Sequence, residues 1–271
     1  MYLFITTLHH DIQMNAQSVI TLTFGDQAEN HAGMETIGHL ADSGQGFNYQ
    51  DLLYAKEKLQ QDEITSEIIK LELNEDSNED AYVMIIRNGV NKLLEPFQQD
   101  HEGMFFEQAN LEIDKKAWMR GRVVNKHARW NVCFDTQGRE PNYENKQGRI
   151  VSYDDIPITK TLIEQFDKYF GPKASNLKGE GNYYDPSKCG IGFHGDSERR
   201  KVIAVRLGSN CSMPLHYQWY IDCKPIGERI IIPLNGADMY VMSEKAVGTD
   251  WKKKKIYTLR HATGSKLFTQ G

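Results

Sequence analysis

Long apolar runs are missing from this chain, and so is any excess of positive charge. No stretch approaches the roughly 20 consecutive apolar residues that a helix needs to cross a bilayer. Residues 1–8 are apolar, yet no basic segment precedes them and they run straight into His9-His10-Asp11. They read as neither a signal peptide nor an anchor, and Met14 offers an alternative start. Cysteine is sparse: Cys133, Cys189, Cys211 and Cys223 are scattered, with no Cys-x-x-Cys pair. That pattern argues against a disulfide framework and for reduced thiols in a cytoplasmic or nuclear-type compartment, not for secretion. Lys and Arg together number 32 against 37 Asp and Glu, a formal charge of −5. Any polynucleotide contact must therefore come from a local basic patch. Internal repeats and low-complexity tracts are absent too.

What is present is ordinary globular composition over 271 residues, enough for one large domain or two modest ones. Ser18-Val19-Ile20-Thr21-Leu22-Thr23-Phe24 is β-branched and aromatic and stops at Gly25-Asp26, which predicts a strand and a turn. Residues 49–61 carry Leu52, Leu53, Ala55 and Leu59 near helical spacing behind Asn48 as a cap. Strands are expected at 67–73 and 81–86 across the acidic turn at 74–80, and a short helix at 89–95 ends at Pro96. This β-α-β-β-α order predicts a small α/β domain over residues 1–102.

Beyond a polar boundary at 98–103 short strands dominate: 120–124, 131–134, 149–151, 201–207, 216–221, 228–233 and 239–242, interrupted by a helix at 159–170. Short strands with frequent turn signals predict an antiparallel barrel or jelly roll over residues 103–271, and an α+β chain overall.

The densest chemistry lies in Asn182-Tyr183-Tyr184-Asp185-Pro186 and Gly190-Ile191-Gly192-Phe193-His194-Gly195-Asp196-Ser197-Glu198. His-x-Asp on a strand would point both side chains to one face. With one distant His it makes a two-His-one-carboxylate triad, whose open positions suit non-haem Fe(II). Alone, His-x-Asp also fits a surface turn in which Asp196 caps a backbone amide.

The flanks resemble the AlkB family of Fe(II)- and 2-oxoglutarate-dependent dioxygenases, whose pattern is Asn-x-Tyr, a short turn, then Gly-x-x-x-His-x-Asp-x-Asp/Glu. Val202 to Gly208 looks like the family strand ending in Leu-Gly. Residues 228–242 resemble a later strand of the same barrel, and Ile156-Pro157-Ile158 resembles the start of a helix packed on it. The resemblance covers roughly residues 115–271 and implies a double-stranded β-helix (jelly-roll) domain using Fe(II), 2-oxoglutarate and O2. It assigns His194 and Asp196 to the metal, Asn182 and Tyr184 to 2-oxoglutarate, and Glu198 to the target base.

His261 is the one histidine after Met242 and the candidate third ligand, with residues 243–250 read as a surface excursion before it. In an alternative alignment Lys254 and Arg260 take the family's two arginine positions and no distal His exists. For the far carboxylate of 2-oxoglutarate the candidates are Lys266, then Arg260 and Lys254, with Arg206 a further one.

On the substrate side, residues 115–131 interleave Lys115, Lys116, Arg120, Arg122, Lys126 and Arg129 with Trp118 and Trp130, and His127 sits among them. Basic groups suit phosphates and aromatic faces suit exposed bases. By position this stretch resembles the nucleotide-recognition lid of AlkB proteins, with Trp130 or His127 stacking on an extruded base. A solvated hairpin with two core tryptophans explains it equally. The run Lys252-Lys253-Lys254-Lys255 reads as a solvated face, with an extended phosphate track as the other reading. Thr23 to His31 has the polar density of a site, but helix caps and a packed His31 account for it too.

The implied function is oxidative demethylation or hydroxylation of bases in DNA or RNA, with no membrane partner. An oxygenase for a protein side chain and a metal-free nucleic-acid-binding module compete with it. Oligomeric state stays open.

Overall fold

In the strand Val202–Leu207 every residue is buried, and alternate residues bury against different layers. Val202 and Ala204 pack with a second sheet, whereas Ile203, Val205 and Leu207 pack with helices. Burial on both faces explains the unbroken apolar run. The computed structural model describes residues 18–73, 79–208 and 213–270. The apolar leader with Met14, positions 74–78 of the acidic turn, and Cys211 lie outside those residues.

The strands are β1 (Val19–Gly25), β2 (Gln27–Glu29), β3 (Thr36–Gly38), β4 (Ser66–Lys70), β5 (Tyr82–Ile86), β6 (Lys116–Met119), β7 (Arg122–Asn125) and β8 (Trp130–Asp135). They continue with β9 (Ile150–Ser152), β10 (Lys178–Tyr184), β11 (Gly190–His194), β12 (Val202–Leu207), β13 (Leu215–Ile221), β14 (Lys224–Ile232), β15 (Met239–Met242) and β16 (Thr258–Gly264). Eight of them form one sheet in the order β4-β5-β15-β12-β1-β10-β8-β9, and four form a second, β11-β16-β13-β14. The helices are α1 (Tyr49–Gln61), α2 (Gly89–Leu94), α3 (His101–Ala109), α4 (Pro157–Ile163), α5 (Phe166–Phe170), α6 (Glu244–Val247) and α7 (Lys266–Thr269).

Three layers result. Leu52 and Leu59 of α1, Met104 of α3, Leu162 of α4 and Phe166 of α5 cover one face of the large sheet with Ile20, Leu22, Val132 and Tyr183. On its other face Val83, Ile85, Ala204 and Tyr240 meet Leu215, Tyr217, Trp219 and Leu259 of the small sheet. The fold is mixed α+β and strand-rich, consistent with a jelly-roll-like β-sandwich backed by helices. No helix among the described residues is long and apolar enough to cross a membrane.

The expected domain boundary near 102 does not divide this architecture. β1 lies in the middle of the large sheet, paired with β10 and β12, and β5 pairs with β15. A separate N-terminal unit would strip these strands of their neighbours, and pairings over such sequence distance leave no local signature. α3, capped by Asp100, runs across the expected linker.

Three smaller expectations also change. The strand expected at 120–124 is a hairpin, β6 and β7, turning at Arg120-Gly121 where both residues have positive φ. The helix expected at 159–170 is two, α4 and α5. The stretch 243–250 is no surface excursion, since Ala246 and Val247 are fully buried in the sandwich core.

Candidate metal centre

β11 ends at His194, and β16 pairs with it so that His194 lies opposite His261. A register shift between Ile191 and His194 re-aims the end of β11, and the chain leaves the sheet before Asp196. The carboxylate is thus positioned from a loop, not from the strand itself as alternation alone would suggest. The Asp196 amide donates to the Val247 carbonyl at 3.0 Å, and Gly195 lies against the Gly248 backbone so closely that a Cβ has no room. α6 and its left-handed glycine cap therefore pin the loop.

The three side chains converge. Oδ1 of Asp196 lies 3.3 Å from His194 Nε2 and 3.5 Å from His261 Nε2. The three potential ligand atoms all fall within 4.8 Å of one another. The imidazole rings meet edge to face at 4.5 Å.

His194 Nδ1 lies 2.8 Å from the Gly192 carbonyl and 3.1 Å from that of His261. Carbonyls only accept, so Nδ1 carries a hydrogen and Nε2 is the ring nitrogen turned toward Asp196. Burial lowers the pKa of His261 below the usual histidine value, against the opposing pull of the Asp196 carboxylate. Burial pushes the Asp196 carboxyl up, but His261, His194 and Arg199 outweigh it and hold the group well below the carboxylate range. Two imidazoles and one carboxylate are the donor set that ferrous iron takes.

Arg199 supports the carboxylate from behind. Its guanidinium is almost wholly buried, bonding Glu180 at 2.5 Å and Glu198 at 2.9 Å, with Nε 3.8 Å from Asp196. Sequence reasoning missed it, since nothing local marks a buried arginine.

The cluster opens into a cavity of about 810 Å³. Its walls come from alternation: Thr21 and Thr23 of β1 and Glu180, Asn182 and Tyr184 of β10 face inward, while the intervening residues pack on helices. Glu29 and His31 also line it. The polar density at 23–31 thus belongs in part to a site, although Asp26 there is a structural anchor, bonding the amides of Ala41, Arg200 and Lys201. Burial, then repulsion from Glu198, raises the Glu29 pKa to about 7.

Arg206 is the least expected feature. It is 1% exposed, and among the described residues its guanidinium has no well-formed hydrogen bond, its one hydrogen-bonding neighbour being the Tyr240 phenol. It stands opposite Thr21, whose hydroxyl has no partner among the described residues, and beside Tyr240 and Tyr184, both cavity residues kept as neutral phenols by burial. The preferred cations lie elsewhere. Lys266 is exposed on α7 and Lys254 is exposed in a loop. Arg260 sits one residue from His261 and so points to the opposite face of β16, stacked on Tyr220 at 4.0 Å.

Among the other expected site residues, Asn182 lines the cavity and accepts from Arg129 Nε at 2.7 Å, and Tyr184 is buried beside it. Glu198 lines the cavity and is tied to Arg199. Arg120 and Arg122 are exposed on the β6–β7 hairpin, and His127 is exposed beyond it. Lys126 is not a surface phosphate ligand: it is buried, bonded to Asn30 and Asn131, and burial lowers its pKa to about 8. Trp130 packs against the core and does not line the cavity, where Trp251 does.

No known family profile matches the chain. An uncharacterized protein of Acanthamoeba polyphaga mimivirus is 45% identical over 260 residues, covering 94% of this chain and 98% of that protein. The chain belongs to the family of that viral protein. A match of such extent takes in residues on both sides of position 102, in keeping with one shared fold. For this viral family the functional reading rests on the geometry above.

Proposed function

We propose that the chain is an Fe(II)- and 2-oxoglutarate-dependent dioxygenase of the AlkB-like kind, built on a double-stranded β-helix, that oxidises modified bases in DNA or RNA. The observation that carries the reading is a His194–Asp196–His261 cluster on a polar cavity, with a buried Arg206 beside Tyr184 and Tyr240 of the cavity wall. Iron and 2-oxoglutarate bound there would supply O2-driven hydroxylation of a C–H bond, coupled to decarboxylation of the co-acid to succinate.

The chain's own residues have distinct parts in this. His194 and His261 turn Nε2 toward the same point as Asp196, the anionic ligand that Arg199 helps keep ionised and aimed. A dicarboxylate would give Arg206 the counter-charge and acceptors it lacks, in a fork geometry that a lysine cannot match. This assignment moves the carboxylate anchor from the end of the chain to β12. Asn182 and Tyr184 flank the co-substrate wall, while Glu29 and Glu198 face the space left for substrate. Those two carboxylates also suit a cationic peptide side chain, which keeps protein hydroxylation as the second reading.

The test is succinate release from 2-oxoglutarate by the full chain with Fe(II), with N-methylated DNA and RNA oligonucleotides in one arm and Lys- or Arg-rich peptides in the other. Stimulation by the oligonucleotides supports the base-modifying reading. Stimulation by peptides alone replaces it with the second one. A chain that binds no Mn(II) or Fe(II) is a metal-free binding module.

A further inference from the structure

The outward face of the small sheet carries a ladder of rings and cations that no local stretch of sequence reveals. Arg229 of β14 lies over the Phe193 ring of β11 at 4.9 Å. Phe193 is 6.3 Å from Tyr220 of β13, and Arg260 of β16 stacks on Tyr220 at 4.0 Å. The same guanidinium lies 5.0 Å from the Trp251 ring, which Lys252 approaches at 5.3 Å. Six residues from four strands and one loop thus form a continuous row. Phe193, Trp251 and Lys252 also line the metal-site cavity, so the row borders the cavity near both of its ends.

The cations in this row are available to a ligand. Among the described residues no carboxylate pairs with Arg229, Arg260 or Lys252; the one protein bond of each arginine goes to a backbone carbonyl, that of Thr269 or Trp251. The Nε atoms of both arginines are buried without a partner. Exposed Lys253, Lys254 and Lys255 prolong the positive end, in a chain whose net charge is −5.

We infer that this face is a track for single-stranded nucleic acid, leading one strand to the cavity. Arg229 lies over one ring only and can take a base beside it, while Arg260, within reach of two rings, can turn its edge to a phosphate. A polymer alternating negative charge with aromatic planes complements such a row, and only an unpaired strand exposes those planes. A duplex hides its bases and would meet only the charges. The inference builds on the nucleic-acid reading of the cavity but is tested without any iron chemistry.

The experiment is fluorescence anisotropy of labelled dT12 with the full chain, free of metal and 2-oxoglutarate. The wild type should bind dT12 at least tenfold more tightly than a duplex of the same length. It should also prefer dT12 to an abasic oligomer and to polyglutamate. Arg260→Ala and Arg229→Ala should each weaken dT12 binding by about tenfold, as expected for the loss of a stacking cation. Each should also flatten the dependence on log salt by roughly one charge. Arg260→Lys should keep the salt slope and lose the preference over the abasic strand. Unchanged Mn(II) binding by the Arg229→Ala/Arg260→Ala double variant certifies its fold. The idea is overturned if that double variant binds dT12 like the wild type, if duplex or polyglutamate binds as well as dT12, or if the wild type does not bind. Failure here with succinate release intact removes the track and leaves the oxygenase. Strand binding without turnover does the reverse.

Discussion

Replacing Arg206 by Met separates a ligand-binding arginine from a structural one, because the two readings give opposite signs. The side chain is 1% exposed and, among the described residues, has only the neutral Tyr240 phenol to bond with and no carboxylate of its own. Asp238, a carboxylate whose charge reaches it, is already engaged by Arg87 at 2.7 Å and by the amides of Asn88 and Asn235 at 3.0 Å each. Replacing buried charged side chains by well-packed apolar ones of similar volume is often stabilising, by up to about 1–4 kcal/mol. For a chain of this size each kcal/mol moves the melting temperature by roughly 2–4 °C. Arg206→Met should therefore melt several degrees above the wild type in the absence of ligand. It should also lose the rise that N-oxalylglycine with Mn(II) confers. Truncating one side of a buried charge pair costs about 2–5 kcal/mol of binding, on the order of 30-fold to a few thousand-fold in affinity. Thermal unfolding with and without N-oxalylglycine, at fixed Mn(II), reads both effects. A variant that melts below the wild type, or that binds N-oxalylglycine unchanged, refutes the reasoning.

Other perturbations probe the centre separately. His261→Ala should weaken Mn(II) binding by more than about 100-fold, measured from the free-ion EPR signal, with the fold kept; near-normal affinity would place the metal elsewhere. Gly195→Ala forces a Cβ onto the Gly248 carbonyl, so Asp196 must shift and Mn(II) affinity should fall roughly tenfold, whereas wild-type affinity would mean the loop yields freely. Glu29, with its pKa raised to about 7, binds its proton more tightly folded than unfolded. Its contribution is full below the unfolded carboxylate value and is lost as pH rises through about 7. Between pH 5 and 8 the wild type should lose more stability than Glu29→Gln in urea titrations, and parallel profiles would contradict the assignment.

Much of this was legible from sequence because it is written locally. The capping box of α1, Asn48 with Asp51, and the apolar spacing behind it specify that helix wherever it packs. The alternation of β1 and the continuous burial of β12 announce a strand exposed to a polar interior on one side and a strand buried on both. His194, Asp196 and His261 could be named because short motifs constrain chemistry without reference to the rest of the chain.

Tertiary structure alone decided the remainder. Whether residues 18–100 form their own domain depends on which distant strand β1 pairs with, and hydrogen-bond partners carry no sequence tag. The strand period of two sends Arg260 outward and His261 inward, and sets Arg206, not a C-terminal lysine, in the interior. Lys126 reads as a phosphate ligand in the sequence, yet the fold buries it against Asn30 and Asn131. Residue type states what a side chain can do; burial, pairing and charge around it, set by residues far along the chain, state what it is free to do.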